Sequence, residues 1–287
     1  MNKLTTFLAL AVTTASLVSC GGSAGHEDHH DAADSLAHKA MDTTAITVDD
    51  TTKYKFDFAI ANIPSPATSL QELKPYVEHY DNTILNDIKK ASMYSTEFSR
   101  GFNLGVYNID MAYAMVNDKG QDVLNYMKDV MIISDALGLR NAVSVMVGQR
   151  AENNLNNKDS LFKLLDEIFV KSDSYLRTNE RVYTAATVFA GSWLESLYLN
   201  CKVSEGVSQA ALRAKSRQHL WEQRFHLGNL INLLNDYKAK KECAELIADL
   251  KPIHEQISSV KQASDMNDET FKSISDKIVT LRTKMTK

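Results

Sequence analysis

From residue 69 to the C-terminus, apolar positions recur every three or four residues, the spacing that gives a helix one buried face. The pattern predicts helices over 69–79, 82–90, 95–116, 120–137, 141–154, 158–178, 180–201, 208–236, 240–262 and 267–286. The punctuation agrees with that period. Ser69, Asn157-Lys158-Asp159-Ser160 and Asn267-Asp268-Glu269 offer side-chain oxygens to cap orphan N–H groups. Asn117-Asp118-Lys119-Gly120 suits the turn of a helical hairpin, and Gly138 stands where a left-handed C-terminal residue belongs. Pro252 falls inside a periodic stretch, where a kink is expected. Leu246, Leu250, Ile253, Ile257 and Val260 step by four and three, as do Phe271, Ile274, Ile278, Leu281 and Met285. Such stripes bury against antiparallel neighbours. The segment 180–201 is different, because Glu195 is its sole charge from Val182 to Cys201, which predicts a central helix covered on all sides. The fold class is therefore all-α: antiparallel helical hairpins forming a bundle or a short helical stack over 64–287, with 69–201 and 208–287 as possible subdomains.

Residues 21–53 break the pattern. They are rich in Gly, Ser, Ala, Asp, His and Thr and hold almost no large apolar side chains, so they cannot offset their own ordering entropy. Tyr54, Phe56, Phe58 and Ile60 then alternate with smaller or polar residues, which predicts an extended end to a tether over 20–63, stopped by Pro64 and Pro66. Ahead of the tether, Met1-Asn2-Lys3-Leu4 carries one positive charge and residues 7–18 are apolar apart from Thr and Ser. That is a secretory signal over 1–19, too short to span a bilayer as a helix. Its end, Leu17-Val18-Ser19-Cys20-Gly21, resembles the lipobox of bacterial lipoproteins. The resemblance implies lipid on the Cys20 thiol, cleavage before Cys20 and acylation, as by palmitate, of the new amino group. Several chains on one residue make a stable anchor, since each buried methylene adds about 0.8 kcal/mol. Gly21 and Gly22 follow the cysteine with no acid directly after it, which by resemblance to known sorting rules places the anchor on the outer membrane, its face left open.

Charge and cysteine usage narrow the partners. Removing residues 1–19, with one Lys and no acid, takes the formal net charge from −4 to −5, which disfavours nucleic acid. Cys201 and Cys243 remain, either as one disulfide or as two buried thiols. The expected partners are a membrane, through Cys20, and another envelope protein; no cofactor is implied and the oligomeric state is left open.

Leu104-Gly105 with Tyr113 matches the opening of a tetratricopeptide repeat, but the later small-residue and Pro positions are unmet and no period of about 34 residues follows. A second resemblance covers more of the chain. Ile63-Pro64-Ser65-Pro66, residues 103–113 (Asn-Leu-Gly-Val-Tyr-Asn-Ile-Asp-Met-Ala-Tyr), residues 153–161 and residues 190–198 (Ala-Gly-Ser-Trp-Leu-Glu-Ser-Leu-Tyr) together resemble a family of uncharacterised all-helical lipoproteins of Bacteroidetes. The resemblance spans roughly 60–201 and implies an envelope location without an activity. The chain departs from the family pattern at Asn108 and Ser192, where the family carries Gly. In the tether, Asp34-Ser35-Leu36, Asp42-Thr43-Thr44 and Asp50-Thr51-Thr52 resemble Bacteroides-type O-glycosylation sites, with Ser35, Thr43 and Thr51 as acceptors; Asp159-Ser160-Leu161 also matches but opens a predicted helix.

Three sets of residues carry candidate chemistry. Glu195 in an apolar helix must be paired or titrate abnormally; Arg150 and Arg100 are the candidate partners, and the alternative is a pocket carboxylate. On helix 95–116, Ser99, Asn103, Tyr107, Asp110 and Ala114 line one face without Lys or Glu, which suits a groove or a hydrogen-bond network, against an exposed face of modest charge. Asn103, Tyr107, Asp110, Arg150 and Glu195 thus form the candidate pocket. His26, His29, His30 and His38 stand among acids in the tether and suit weak Zn, Ni or Cu binding, although their spacing matches no closed tetrahedral site. His219 and His226 are seven apart on a helix face, looser than a helical zinc pair, and read as polar surface. Catalytic templates are absent: there is no Gly-x-Ser-x-Gly, phosphate-cradling Gly-rich loop or His-Glu-x-x-His. The expectation is a non-enzymatic, membrane-anchored helical binding or scaffold lipoprotein of the cell envelope. A small-ligand or metal-binding lipoprotein using Glu195 and Asp110 is the second reading, and an enzyme of unrecognised type the third.

Overall fold

The computed structural model describes residues 73–77, 79–140 and 181–287, with 150, 157, 160, 163–164, 167, 171–172 and 174–177 between them. The predicted signal, Cys20, the predicted tether with its histidines and candidate acceptor residues, Ser69 and most of the two predicted helices over 141–178 lie outside the described residues.

Among the described residues the chain is helical and has no strand. We label the helices α1 (Glu97–Val116), α2 (Gly120–Ala136), α3 (Val182–Glu205), α4 (Ala210–Asn235), α5 (Lys241–Ser259) and α6 (Asp268–Met285). Each begins and ends within a few residues of its expected place. Thr96 and Ser99 form a reciprocal capping box at the start of α1, the Ser99 N–H donating to Thr96 Oγ1 at 3.0 Å. Asp118 takes a left-handed φ of 60° in the hairpin turn, and the Lys119 N–H closes back on the Ala114 carbonyl at 2.9 Å. Gly138 ends α2 at φ 72°, with the Leu139 N–H on the Ser134 carbonyl and the Gly138 N–H on Asp135. Asn267 caps α6 by accepting from the Thr270 N–H at 2.8 Å. Pro252 lies inside α5, which continues unbroken through it.

One expected helix is not formed, and a second falls partly outside the described residues. Of residues 69–79, those described include Leu73 in helical conformation, followed by a 3-10 turn at Lys74–Tyr76, whereas 82–90 hold only the 3-10 turn Asn82–Ile84. The departure over 82–90 has a clear cause. The Asn86 N–H donates to Asp110, the Asn86 carbonyl accepts from Tyr126 and the Asp87 carbonyl from Tyr107. Backbone groups that a helix would pair locally are engaged by side chains of α1 and α2.

The described residues belong to one compact unit, Ile46–Lys287. Helix α1 packs against α2 and α3, α3 also against α4 and α6, α4 against α5, and α5 against α6. The expectation for α3 holds: nearly all of its residues from Val182 to Cys201 are buried. The same is true of α1 from Gly101 to Val116. The seam stripes of α5 and α6 face inward, with Leu246, Leu250, Ile253, Ile257, Ile274, Ile278 and Leu281 all buried.

The α1–α3 contact depends on glycine. A Cβ on Gly105 would lie 2.1 Å from the Val188 carbonyl oxygen, and one on Gly191 would lie 1.9 Å from that of Phe102. Ser192 takes part in this seam, its hydroxyl donating to the Gly105 carbonyl at 3.3 Å. Backbone therefore meets backbone, and neither helix can retreat without opening the core on its other side. Gly191→Ala is expected to lower unfolding stability by about 2–3 kcal/mol. Gly206→Ala, whose Cβ would meet nothing nearer than 4.0 Å, serves as the control and should leave stability unchanged. Urea unfolding followed by circular dichroism measures both; equal midpoints for the two variants would contradict the seam.

Candidate functional site

The side chains singled out on α1 and α3 converge in the interior. Glu195 is fully buried and its partner is Arg282 of α6, whose Nε and Nη2 each donate to one carboxylate oxygen at 2.9 Å. This fork-on-fork geometry is the strong form of a charge-assisted pair. The Tyr198 ring lies 4.5 Å from the guanidinium carbon and covers it. Burial works against the Arg282 charge, but the Glu195 carboxylate more than offsets it, holding the guanidinium protonated.

Asp110 of α1 is the third member. It is fully buried beside Glu195 and accepts the Asn86 N–H at 3.0 Å through Oδ2, while Oδ1 meets no donor. Desolvation first, then the neighbouring Glu195 charge, push its pKa well above the usual carboxylate range. A proton held on Asp110 relieves the like-charge repulsion and leaves one carboxylate facing one guanidinium, a neutral buried set.

A hydrogen-bonded shell surrounds this set. Asn86 Nδ2 donates to the Tyr94 hydroxyl at 3.0 Å, and the Tyr107 hydroxyl donates to the Asp87 carbonyl at 2.7 Å. The last carbonyls of α6 are also held: Asn103 Nδ2 donates to Met285 at 3.1 Å and Lys90 Nζ to Thr286 at 2.9 Å. Burial raises the Tyr80, Tyr107 and Tyr126 hydroxyls far enough to keep them neutral donors. The network thus ties the 85–96 loop, α1, α3 and the end of α6 together.

Four of the five candidate pocket residues, Asn103, Tyr107, Asp110 and Glu195, are therefore neighbours in the core, and each is fully buried rather than lining an open groove. The polar face of α1 is a hydrogen-bond network and not an exposed surface. Arg150 does not join it. Its guanidinium is exposed and pairs with Glu167 at 2.7 Å, a site where a charge keeps most of its hydration. Arg100 is likewise directed elsewhere, to the Tyr94 and Ala136 carbonyls. A charged partner for Glu195 was expected, and Arg282 takes that place. Its signal was present in the sequence: Arg282 follows Ile278 by four and Ile274 by eight, on the apolar stripe of α6. Asn86, Tyr94 and Tyr126 carried no such mark, because their role comes from a loop lying across two helices.

Cys201 and Cys243 are both buried free thiols, with burial pushing them up to about 12 and about 11. His219 and His226 sit part-buried on α4. Among the described residues no group of three or more His, Cys, Asp or Glu is placed to hold a metal ion, and no helix is long and apolar enough to cross a membrane. Comparison with protein-family models, curated proteins and solved structures returned no match.

Asp129 of α2 extends the buried charge. It is 5% exposed, and its Oδ2 meets no partner. Desolvation, reinforced by the Asp87 charge, raises it from 3.8 to about 7. A carboxyl raised on folding binds its proton more tightly in the native state, so stability is highest below about 4 and falls as pH rises to about 7. Asp110, also raised, adds a loss of the same sign that begins near the same pH. Asp129→Asn should match the parent near pH 4 and exceed its stability above pH 7, by at most about 4 kcal/mol. Urea unfolding across that range measures the gap; a gap independent of pH would contradict the assignment.

Proposed function

We propose that the chain is a lipid-anchored binding or scaffold protein of the bacterial envelope, held on the outer membrane through Cys20 and acting without catalysis through the surface of its helical domain. The observation that carries the reading is the Leu17-Val18-Ser19-Cys20-Gly21 box closing an apolar run, followed by a tether long enough to set a folded domain away from a bilayer. The domain's chemistry favours the same reading. Three of its buried charged residues meet in the core: Glu195 engages Arg282 through both oxygens, and Asp110 holds the Asn86 loop. They act as internal fastening, which directs attention to the exterior for partners. The likeness of residues 60–201 to uncharacterised Bacteroidetes lipoproteins supports the envelope location.

Expression with labelled palmitate in a Gram-negative host, followed by membrane fractionation, tests the anchor. The parent chain should take up label and sediment with outer membranes. Cys20→Ser should lose the label and remain an unprocessed precursor with the same helical signal. Unlabelled parent protein in the soluble fraction would overturn the proposal.

A further inference from the structure

A cleft of about 400 Å³ opens where the end of α3 meets the first turns of α4 and α6. It lies apart from the Asp110–Glu195–Arg282 set and is within the range of small-molecule sites. Three serines, one from each helix, line it: Ser204, Ser216 and Ser275, all less than a tenth exposed. Phe271 supplies an aromatic wall, and Arg213 and Lys272 stand at its sides.

The lining sets three cations, Arg213, Arg217 and Lys272, against two acids, Glu205 and Asp268. Ser204 and Ser216 bond to one another and to Asn200, which is fully buried beneath them and whose Nδ2 finds no acceptor. The buried Ser275 hydroxyl meets no oxygen or nitrogen partner, and the Cys201 thiol near it is a poor acceptor. Of the lining charges, Arg217 pairs with Asp268 and Glu205 with Lys202, whereas Arg213 donates to the Val207 and Ser208 carbonyls rather than to a carboxylate. Lys272 is an exposed cation shared with Asp276. A buried hydroxyl with no good acceptor, a guanidinium not matched to an acid and an aromatic face together call for a ligand that brings acceptors, negative charge and one apolar face.

We propose that this cleft binds a small organic anion, a carboxylate or phosphate monoester on a ring-sized apolar body, with Arg213 and Lys272 on the charge, Ser275 donating to it and Phe271 against the body. The assignment is independent of the lipid anchor and stands or falls separately from it.

The test uses the full chain in detergent micelles, titrated calorimetrically with phenyl phosphate, benzoate, inorganic phosphate and benzylamine. Phenyl phosphate or benzoate should bind one to one, at least about tenfold more tightly than inorganic phosphate, and benzylamine should not saturate. Whichever of the two organic anions binds identifies the headgroup. Lys272→Glu, on an exposed position that folding tolerates, should weaken binding about tenfold, and Arg213→Ala by as much or more, with circular dichroism unchanged for Lys272→Glu. Ser275→Ala should weaken it a few-fold. The proposal is overturned if neither organic anion saturates at about 10 mM, if benzylamine or inorganic phosphate binds equally well, or if Lys272→Glu leaves the affinity unchanged.

Discussion

The buried pairing of Arg282 with Glu195 is the constraint around which the domain is arranged. A guanidinium and a carboxylate lose several kcal/mol of hydration each on entering an interior, and only close, doubly bonded geometry returns it. Both N–H···O contacts at 2.9 Å supply that geometry, and the Tyr198 ring closes over the cation. Because Glu195 comes from α3 and Arg282 from the last helix, the pair fixes the C-terminal helix to the centre of the fold. Asp110 brings α1 and the 85–96 loop to the same point. Four separate stretches of chain therefore meet at one point, which makes the cluster a source of cooperativity and of a unique register.

The glycine seam is the apolar counterpart of this polar fastening. Close approach at Gly105 and Gly191 brings α1 and α3 near enough for Asp110 and Glu195 to meet. Residues with Cβ atoms at those positions would hold the helices apart, and the two carboxyl groups would then be separated by space that neither a proton nor a guanidinium fills. Packing geometry and electrostatics are in this sense one design. With the interior committed to it, the surfaces, and above all the cleft between α3, α4 and α6, become the natural places for recognition.

Much of the architecture was legible in the sequence because it rests on local signals. Helical period, the Asn267 cap, the Asp118 turn and the Gly138 ending each act within a few residues, and the isolated charge of Glu195 marked α3 as central. The pocket residues were found but not their circumstances. Asn103, Tyr107 and Asp110 face a loop and the end of α6 rather than solvent, and that neighbourhood is set by contacts across more than 180 residues, as between Asn103 and Met285. The loop over 82–90 read as helix because its apolar spacing is helical, while the side chains that capture its backbone lie far along the chain. Arg150 was a reasonable partner by type and wrong by position; Arg282, standing in an apolar stripe, was the stronger mark.

A double-mutant cycle on Arg282 and Glu195 addresses the central claim most directly. Arg282→Met leaves a buried carboxylate without its guanidinium, and Glu195→Leu leaves the converse; each should cost about 3–5 kcal/mol of unfolding stability in urea. Together they replace the pair with apolar side chains of similar bulk, so the double variant should recover most of that loss, giving a coupling of at least about 2 kcal/mol. Single variants of near-parental stability, or losses that simply add in the double variant, would show that the fold does not depend on this pair.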